Sequence, residues 1–152
     1  MELLAVIPAN RFNYGTIVLG TLALRCLARS DQSAADSVGN PTRDPLKQMG
    51  DLPYGTYTLT LGGVETPRRS YGPTPVIHLT PTGGDALTAA QNGRAGLLIH
   101  GGDYADDGHS LRPTHGCMRL ADRDMAWLVT GINWDETVEL TVQPPAATDK
   151  AA

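Results

Sequence analysis

A chain of 152 residues with a formal net charge of −4 has the length of one domain and no basic excess, which excludes a protein built mainly to neutralise nucleic-acid phosphates. Apolar residues make up 41% and charged residues 18%, enough for a core and too little charge for a disordered chain. Seventeen glycines and eleven prolines point to many turns and short strands, and two cysteines cannot staple a disulfide-rich fold.

Residues 2–7 form an apolar run that stops at Pro8 and predict a first strand. Residues 16–27 are rich in Val, Leu and Ile but broken by Gly20, which predicts two strands around a turn or bulge. From 28 to 53 the chain is polar, carries Gly39, Pro41, Pro45 and Gly50, and shows little periodicity; so long a loop in a compact domain is often functional. Residues 54–61 alternate, Tyr57, Leu59 and Leu61 on one face and Thr56, Thr58 and Thr60 on the other. Residues 76–79 and 96–100 are further short strands. Residues 136–143 alternate again, with Val138, Leu140 and Val142 inward. Two stretches read as helical: a short one at 85–91 before Asn92-Gly93, and a better one at 122–130. In the latter Asp122 is a fit N-cap, Met125, Leu128 and Val129 share a face, and Gly131 can close it. The sum is a mostly β domain over 1–145, a sandwich or barrel-like sheet with one or two short helices, followed by a flexible tail at 146–152.

No apolar run reaches the ~18 residues that a membrane-spanning helix needs; the best stretch, 16–28, is too short and contains Arg25. Residues 1–7 lack a basic n-region and do not read as a secretory signal.

The chemistry concentrates in one segment. His100, His109, His115 and Cys117 fall within eighteen residues; only His78 and Cys26 lie elsewhere. His100 ends an apolar strand before Gly101-Gly102, and Thr114-His115-Gly116-Cys117-Met118-Arg119 precedes the second helix. A cysteine nucleophile needs a thiolate, and a free thiol titrates near 8.5. A histidine partner, the charge of Arg119 and the helix N-terminus predict a lowered thiol pKa. Gly116 lets the backbone turn and frees its amide for an oxyanion. These features point to acyl transfer by a cysteine.

The Thr114–Arg119 hexapeptide, with His100 upstream across a loop of thirteen residues, resembles the signature of the L,D-transpeptidase (YkuD-type) catalytic domain. Pro53-Tyr54-Gly55-Thr56-Tyr57 is similar to that family's step into a strand. The resemblance spans roughly 16–142, and the His100–Thr114 loop is about one residue shorter than is usual in the family. It implies that Cys117 is the nucleophile and His100 its general base, oriented by a backbone carbonyl near Gly101. The amides of Gly116 and Cys117 would form the oxyanion hole, and His115 would support the site or touch substrate. Arg119 would hold the loop or a substrate carboxylate. Apart from the resemblance, Thr114 reads as bonding to the turn, Thr114, Gly101 and Tyr104 are candidates for substrate contact, and Tyr71 and Tyr104 read either as lining the cleft or as surface aromatics. The substrate implied is the peptidoglycan stem peptide, cut between meso-diaminopimelate and D-Ala through a thioacyl-enzyme. Crosslinking, D-amino-acid exchange or hydrolysis would follow, with no metal or organic cofactor.

Bland readings stand beside these. His109, in Asp106-Asp107-Gly108-His109-Ser110, reads as a solvated loop tip; Asp103, Asp106 and Asp107 read as the same loop or as the charge of a lid; Arg68-Arg69 reads as a solvated turn, and Cys26 as a buried free thiol. The alternatives to a wall enzyme are another Cys-His amidase, a zinc site built from His100, His109, His115 and Cys117, or a non-catalytic domain of the same fold. Action on peptidoglycan places the protein in the periplasm or cell wall. With no signal in the chain, delivery as an effector by a type VI secretion system, with a neighbouring immunity protein, is the expectation; a chain shortened from a longer protein would look the same.

Overall fold

A computed structural model describes residues 1–146; most of the 146–152 tail therefore lies outside the described residues. Eight strands form one sheet: β1 (Glu2–Val6), β2 (Gly15–Leu19), β3 (Leu22–Cys26), β4 (Gly55–Leu61), β5 (Ile77–Gly83), β6 (Leu98–His100), β7 (Met118–Arg119) and β8 (Val138–Gln143). Their order is β3-β2-β1-β8-β4-β5-β6-β7. The two edges meet. Leu27, just past β3, and Arg119 on β7 exchange two backbone hydrogen bonds of 2.9 Å, which nearly closes the sheet into a barrel. Closure removes most of the open edge that a flat sheet would expose.

Period-two alternation decides the core. On β8, Val138, Leu140 and Val142 are buried while Glu139, and Thr137 just before the strand, face out. They meet Tyr57 and Leu59 of β4, Leu3 and Ala5 of β1, Ile77 and Leu79 of β5, and Met125 and Leu128 of the last helix. Leu61, expected on the same inward face, is exposed, because pairing with β8 ends at Leu59 and no strand covers it further along. β5 runs past its expected end to Gly83 and includes Pro81. Its partner β6 pairs only with Ile77 and His78, so the missing proline N–H breaks no ladder bond on that side.

There are four helices among the described residues, not two: α1 (Gln32–Ser37), α2 (Arg68–Tyr71), α3 (Gly84–Gln91) and α4 (Asp122–Gly131). The expected long loop therefore contains α1, started by Asp31, whose carboxylate accepts from the Ala34 amide at 3.0 Å. Asp122 does not cap α4. Ala121 holds the cap position, and Asp122, one residue inside, accepts a 2.8 Å hydrogen bond from the Gly102 amide instead. The helix thereby fixes the turn that follows β6.

Leu140 lies fully buried on β8, between β1 and β4. Leu140→Ala should cost about 3 kcal/mol, the range for a truncated core leucine, read as a lower urea midpoint at unchanged slope.

Candidate active site

Parallel pairing of β6 with β7 sets Ile99 beside Met118 and His100 beside Arg119. Ile99 and Met118 are fully buried in the core. Their chain neighbours face the other way, so His100, Cys117 and Arg119 line a cavity of about 470 Å³ with Tyr71, Arg94 and His115. A strand alternation one residue out of step would turn all three into the core.

His100 is 3% exposed, and its Nδ1 lies 2.7 Å from the Gly101 carbonyl oxygen. A carbonyl can only accept, so Nδ1 carries the proton and the neutral ring keeps its lone pair on Nε2. The ring of Tyr71 leans on the imidazole, centroids 5.0 Å apart and planes tilted by 60°. Burial is the main influence on this histidine and lowers its pKa to about 4. The Gly101 hydrogen bond opposes that shift, and the nearby charge of Arg119 adds to it.

Cys117 is half-buried, with Sγ 3.7 Å from the Gly96 carbonyl oxygen, to which the thiol donates. Burial raises its pKa; a backbone contact at Leu98 and the charges of Arg94 and Arg119 pull the other way without cancelling it. The expected low thiol pKa is therefore corrected: desolvation outweighs the cationic neighbours. At rest the pair is a thiol and a neutral imidazole. Cys26, fully buried on β3, is pushed up to about 12 and is inert.

The Thr114 hydroxyl is the hub of the turn before β7. It accepts from the amides of Gly116 at 3.1 Å and Cys117 at 2.8 Å and donates to the Cys117 carbonyl at 3.0 Å. The two amides expected to form an oxyanion hole are thus engaged within the turn. Among the described residues the His115 amide has no hydrogen-bond partner, and the His115 side chain is exposed at the cavity. Gly116 sits at φ 113°, and a Cβ there would come within 2.3 Å of the Arg94 guanidinium and 2.9 Å of the Gly50 carbonyl oxygen. Only glycine fits.

Arg119 is 4% exposed, and its guanidinium is committed to backbone: Nε donates to Gly101, one terminal nitrogen to Arg112 and Pro113, the other to Ser70. It holds three segments together and has little left for a substrate carboxylate. Short as it is, α2 serves the same end. Its carbonyls at Arg69, Ser70 and Tyr71 accept from Asp103, Arg112, Arg119 and Gly101, the groups that a helix C-terminus leaves open.

Tyr104 does not reach the cavity. It is exposed, and its backbone bridges to Leu111 across the loop. His109 is exposed at the loop tip beside Asp107, and among the described residues no three His, Cys, Asp or Glu side chains gather as a metal-binding group. Asp107 binds its own loop, accepting from the amides of His109 and Ser110, while the Asp103 carboxylate lies 3.8 Å from Arg69 Nε.

Sequence reasoning missed Arg94. After α3, Asn92 and Gly93, at φ 96°, reverse the chain and carry Arg94 inward. It is 5% exposed and donates to the carbonyls of Pro45, Gly50 and Asp51, locking the 45–51 segment against the Gly116 turn. A charged residue after Asn-Gly reads as solvated, so nothing in the sequence marked it.

A family model described as YkuD, L,D-transpeptidase catalytic domain, matches residues 32–139. No curated protein sequence matches the chain. Among solved structures, Bd1075 of Bdellovibrio bacteriovorus aligns at TM-score 0.52 and 15% identity over 92% of this chain and 46% of its own. L,D-transpeptidase 1 of Mycobacterium tuberculosis aligns at 0.44 and 12% over 93% and 62%. The helical cell shape determining protein Pgp2 of Campylobacter jejuni aligns at 0.46 and 18% over 95% and 49%. The first likeness is one of fold, and the chain spans about half the length of these solved proteins.

An unfolded histidine titrates near 6.5 and the folded His100 at about 4, so between those values the unfolded chain binds more protons. The stability due to the neutral ring is complete above about pH 6.5 and is lost as the pH falls toward 4, by about 3 kcal/mol. Nitrogen NMR of the ring should show Nδ1 protonated and a midpoint near pH 4. Urea unfolding of wild type against His100→Gln between pH 7 and 4.5 should show the wild type losing more stability.

Proposed function

Because the chain belongs to the YkuD family of L,D-transpeptidase catalytic domains, we propose that it is a cysteine-dependent peptidoglycan acyltransferase acting on tetrapeptide stems. The observation that carries this reading is the joint placement of Cys117 and a tautomer-locked His100 on one cavity wall. His100 Nε2 takes the thiol proton as Sγ attacks the carbonyl carbon between meso-diaminopimelate and D-Ala. Both groups start neutral, so proton transfer accompanies attack, and burial favours this over a standing ion pair. The unpaired His115 amide is the donor left in the turn for the oxyanion.

Collapse of the tetrahedral species breaks the C–N bond. The imidazolium gives its proton to the leaving amine, and D-Ala departs from a thioester on Cys117. An amine acceptor then attacks the thioester to give a 3→3 crosslink or an exchanged D-amino acid, while water gives the tripeptide; His100 again removes the proton of the attacking group. A cavity of about 470 Å³, open to solvent at His115, has room for an extended stem rather than for a whole glycan strand. The site of action that follows is the periplasm or cell wall.

Tetrapeptide muropeptides incubated with and without a free D-amino acid should lose D-Ala with the wild type and not with Cys117→Ala, product masses separating hydrolysis, exchange and crosslinking. His100→Ala should lower the rate by about 10²–10⁴-fold, as expected for a lost general base. Over pH 5–7, kcat/KM should lack the fall near 6.5 that an ordinary histidine base gives, the acid limb lying near pH 4. Unchanged turnover by Cys117→Ala would sink the reading.

A further inference from the structure

Arg94 has no place in the reaction as proposed, yet it is a buried charge beside the thiol. Its three hydrogen bonds all run to the 45–51 segment, and one terminal nitrogen occupies the space that a Cβ on Gly116 would need. The guanidinium therefore touches the residue immediately before Cys117. A buried cation is expensive, and carbonyl dipoles satisfy it without neutralising its charge. Asp51 is bound by Arg43 at 3.2 Å through its side chain and offers Arg94 only its backbone oxygen, so the charge of Arg94 is not cancelled by a direct carboxylate bond. Asp51 and Asp44 bear on Arg94 from a distance, and the positive charges that act on the thiol, in a poorly solvated corner where charge acts strongly, are those of Arg94 and Arg119.

We propose that Arg94 is a positioning residue that wedges the Gly116–Cys117 turn in place and lowers the cost of forming thiolate at Cys117. The proposal rests on Cys117 being the reacting thiol, and it deepens that reading by naming the cation that supports it. Arg119 also bears on the thiol, but its guanidinium is shared among four carbonyl oxygens across the turns at 70, 101 and 112–113. Its charge serves both His100 and Cys117, and it makes protonated imidazole harder to form. Arg94 acts on the thiol side alone. The groups that face the Cys117 sulfur region are thus Arg94 before β6, His100 on β6, Arg119 on β7 and His115 within its own turn.

The test reads the thiol directly and needs no substrate. The rate of Cys117 alkylation by iodoacetamide is followed from pH 6 to 10 in wild type and in Arg94→Gln, Arg94→Met and Arg94→Lys, each checked for folding by circular dichroism melting. Cys117→Ala supplies the background, since Cys26 is buried. The neutral variants should displace the rising alkylation profile by about one pH unit to higher pH, which is about tenfold slower alkylation near neutrality, and Arg94→Lys should recover most of that displacement. A folded neutral variant with the wild-type profile overturns the proposal. If neither neutral variant folds, Arg94→Lys decides: a retained profile supports the role of the charge, and a displacement of a full unit contradicts it. Because alkylation needs only a reactive thiol, its outcome is independent of whether stem peptides are the substrate.

Discussion

One carbonyl oxygen ties this site together. Gly101 accepts from His100 Nδ1 at 2.7 Å and from Arg119 Nε at 3.1 Å, so one atom fixes a histidine tautomer and pins β7 to the end of β6. From that point the arrangement spreads outward. Arg119 carries the link to α2 and to the 112–113 turn, while its backbone closes the barrel against Leu27. Asp122 holds the amide of Gly102, joining α4 to the same corner. Gly102 itself, at φ 134°, leaves no room for a Cβ beside the Ser70 carbonyl oxygen, so the crowding is part of the design of the turn. The closure of the sheet and the orientation of the imidazole are therefore one structural event, made by the same few residues.

The two cysteines show how much environment decides. Both are disfavoured as thiolates by burial, yet Cys26 lies sealed in the sheet while Cys117 opens on a cavity that His100 also lines. In the proposed mechanism a thiol held neutral and a histidine held neutral are matched to each other: ionisation is deferred to the moment of attack. The cost falls on reactivity, and the positive charges of Arg94 and Arg119 oppose it. These two arginines divide the work by position. Arg119 stabilises the strand ends, and Arg94 packs the turn that presents the sulfur.

Much of this was legible in the residues. Alternation on 54–61 and 136–143 gave the central strands, and Gly20 marked the turn between β2 and β3, because period two and a positive-φ glycine leave direct traces in sequence. The concentration of His100, His115 and Cys117 in one segment located the cavity. Other features leave no such trace. α2 has four residues and no period, and β7 has two, hidden inside a motif, so both exist only through the partners that tertiary folding brings. Tyr104 lies outside the cavity, on a loop whose path depends on its bridge to Leu111. The engagement of two turn amides by Thr114 and the inward path of Arg94 depend on contacts between segments far apart in the chain, to which local reasoning is blind.

The central claim is that Cys117 carries the acyl group while His100 handles the proton. Intact-protein and peptide mass spectrometry of the enzyme quenched in acid during turnover of a tetrapeptide stem tests it most directly. The account predicts a tripeptide-acyl adduct on the Cys117 peptide, none on Cys26, and slower formation of the same adduct in His100→Ala. Turnover with no adduct on Cys117, or an adduct on a different residue, would contradict it.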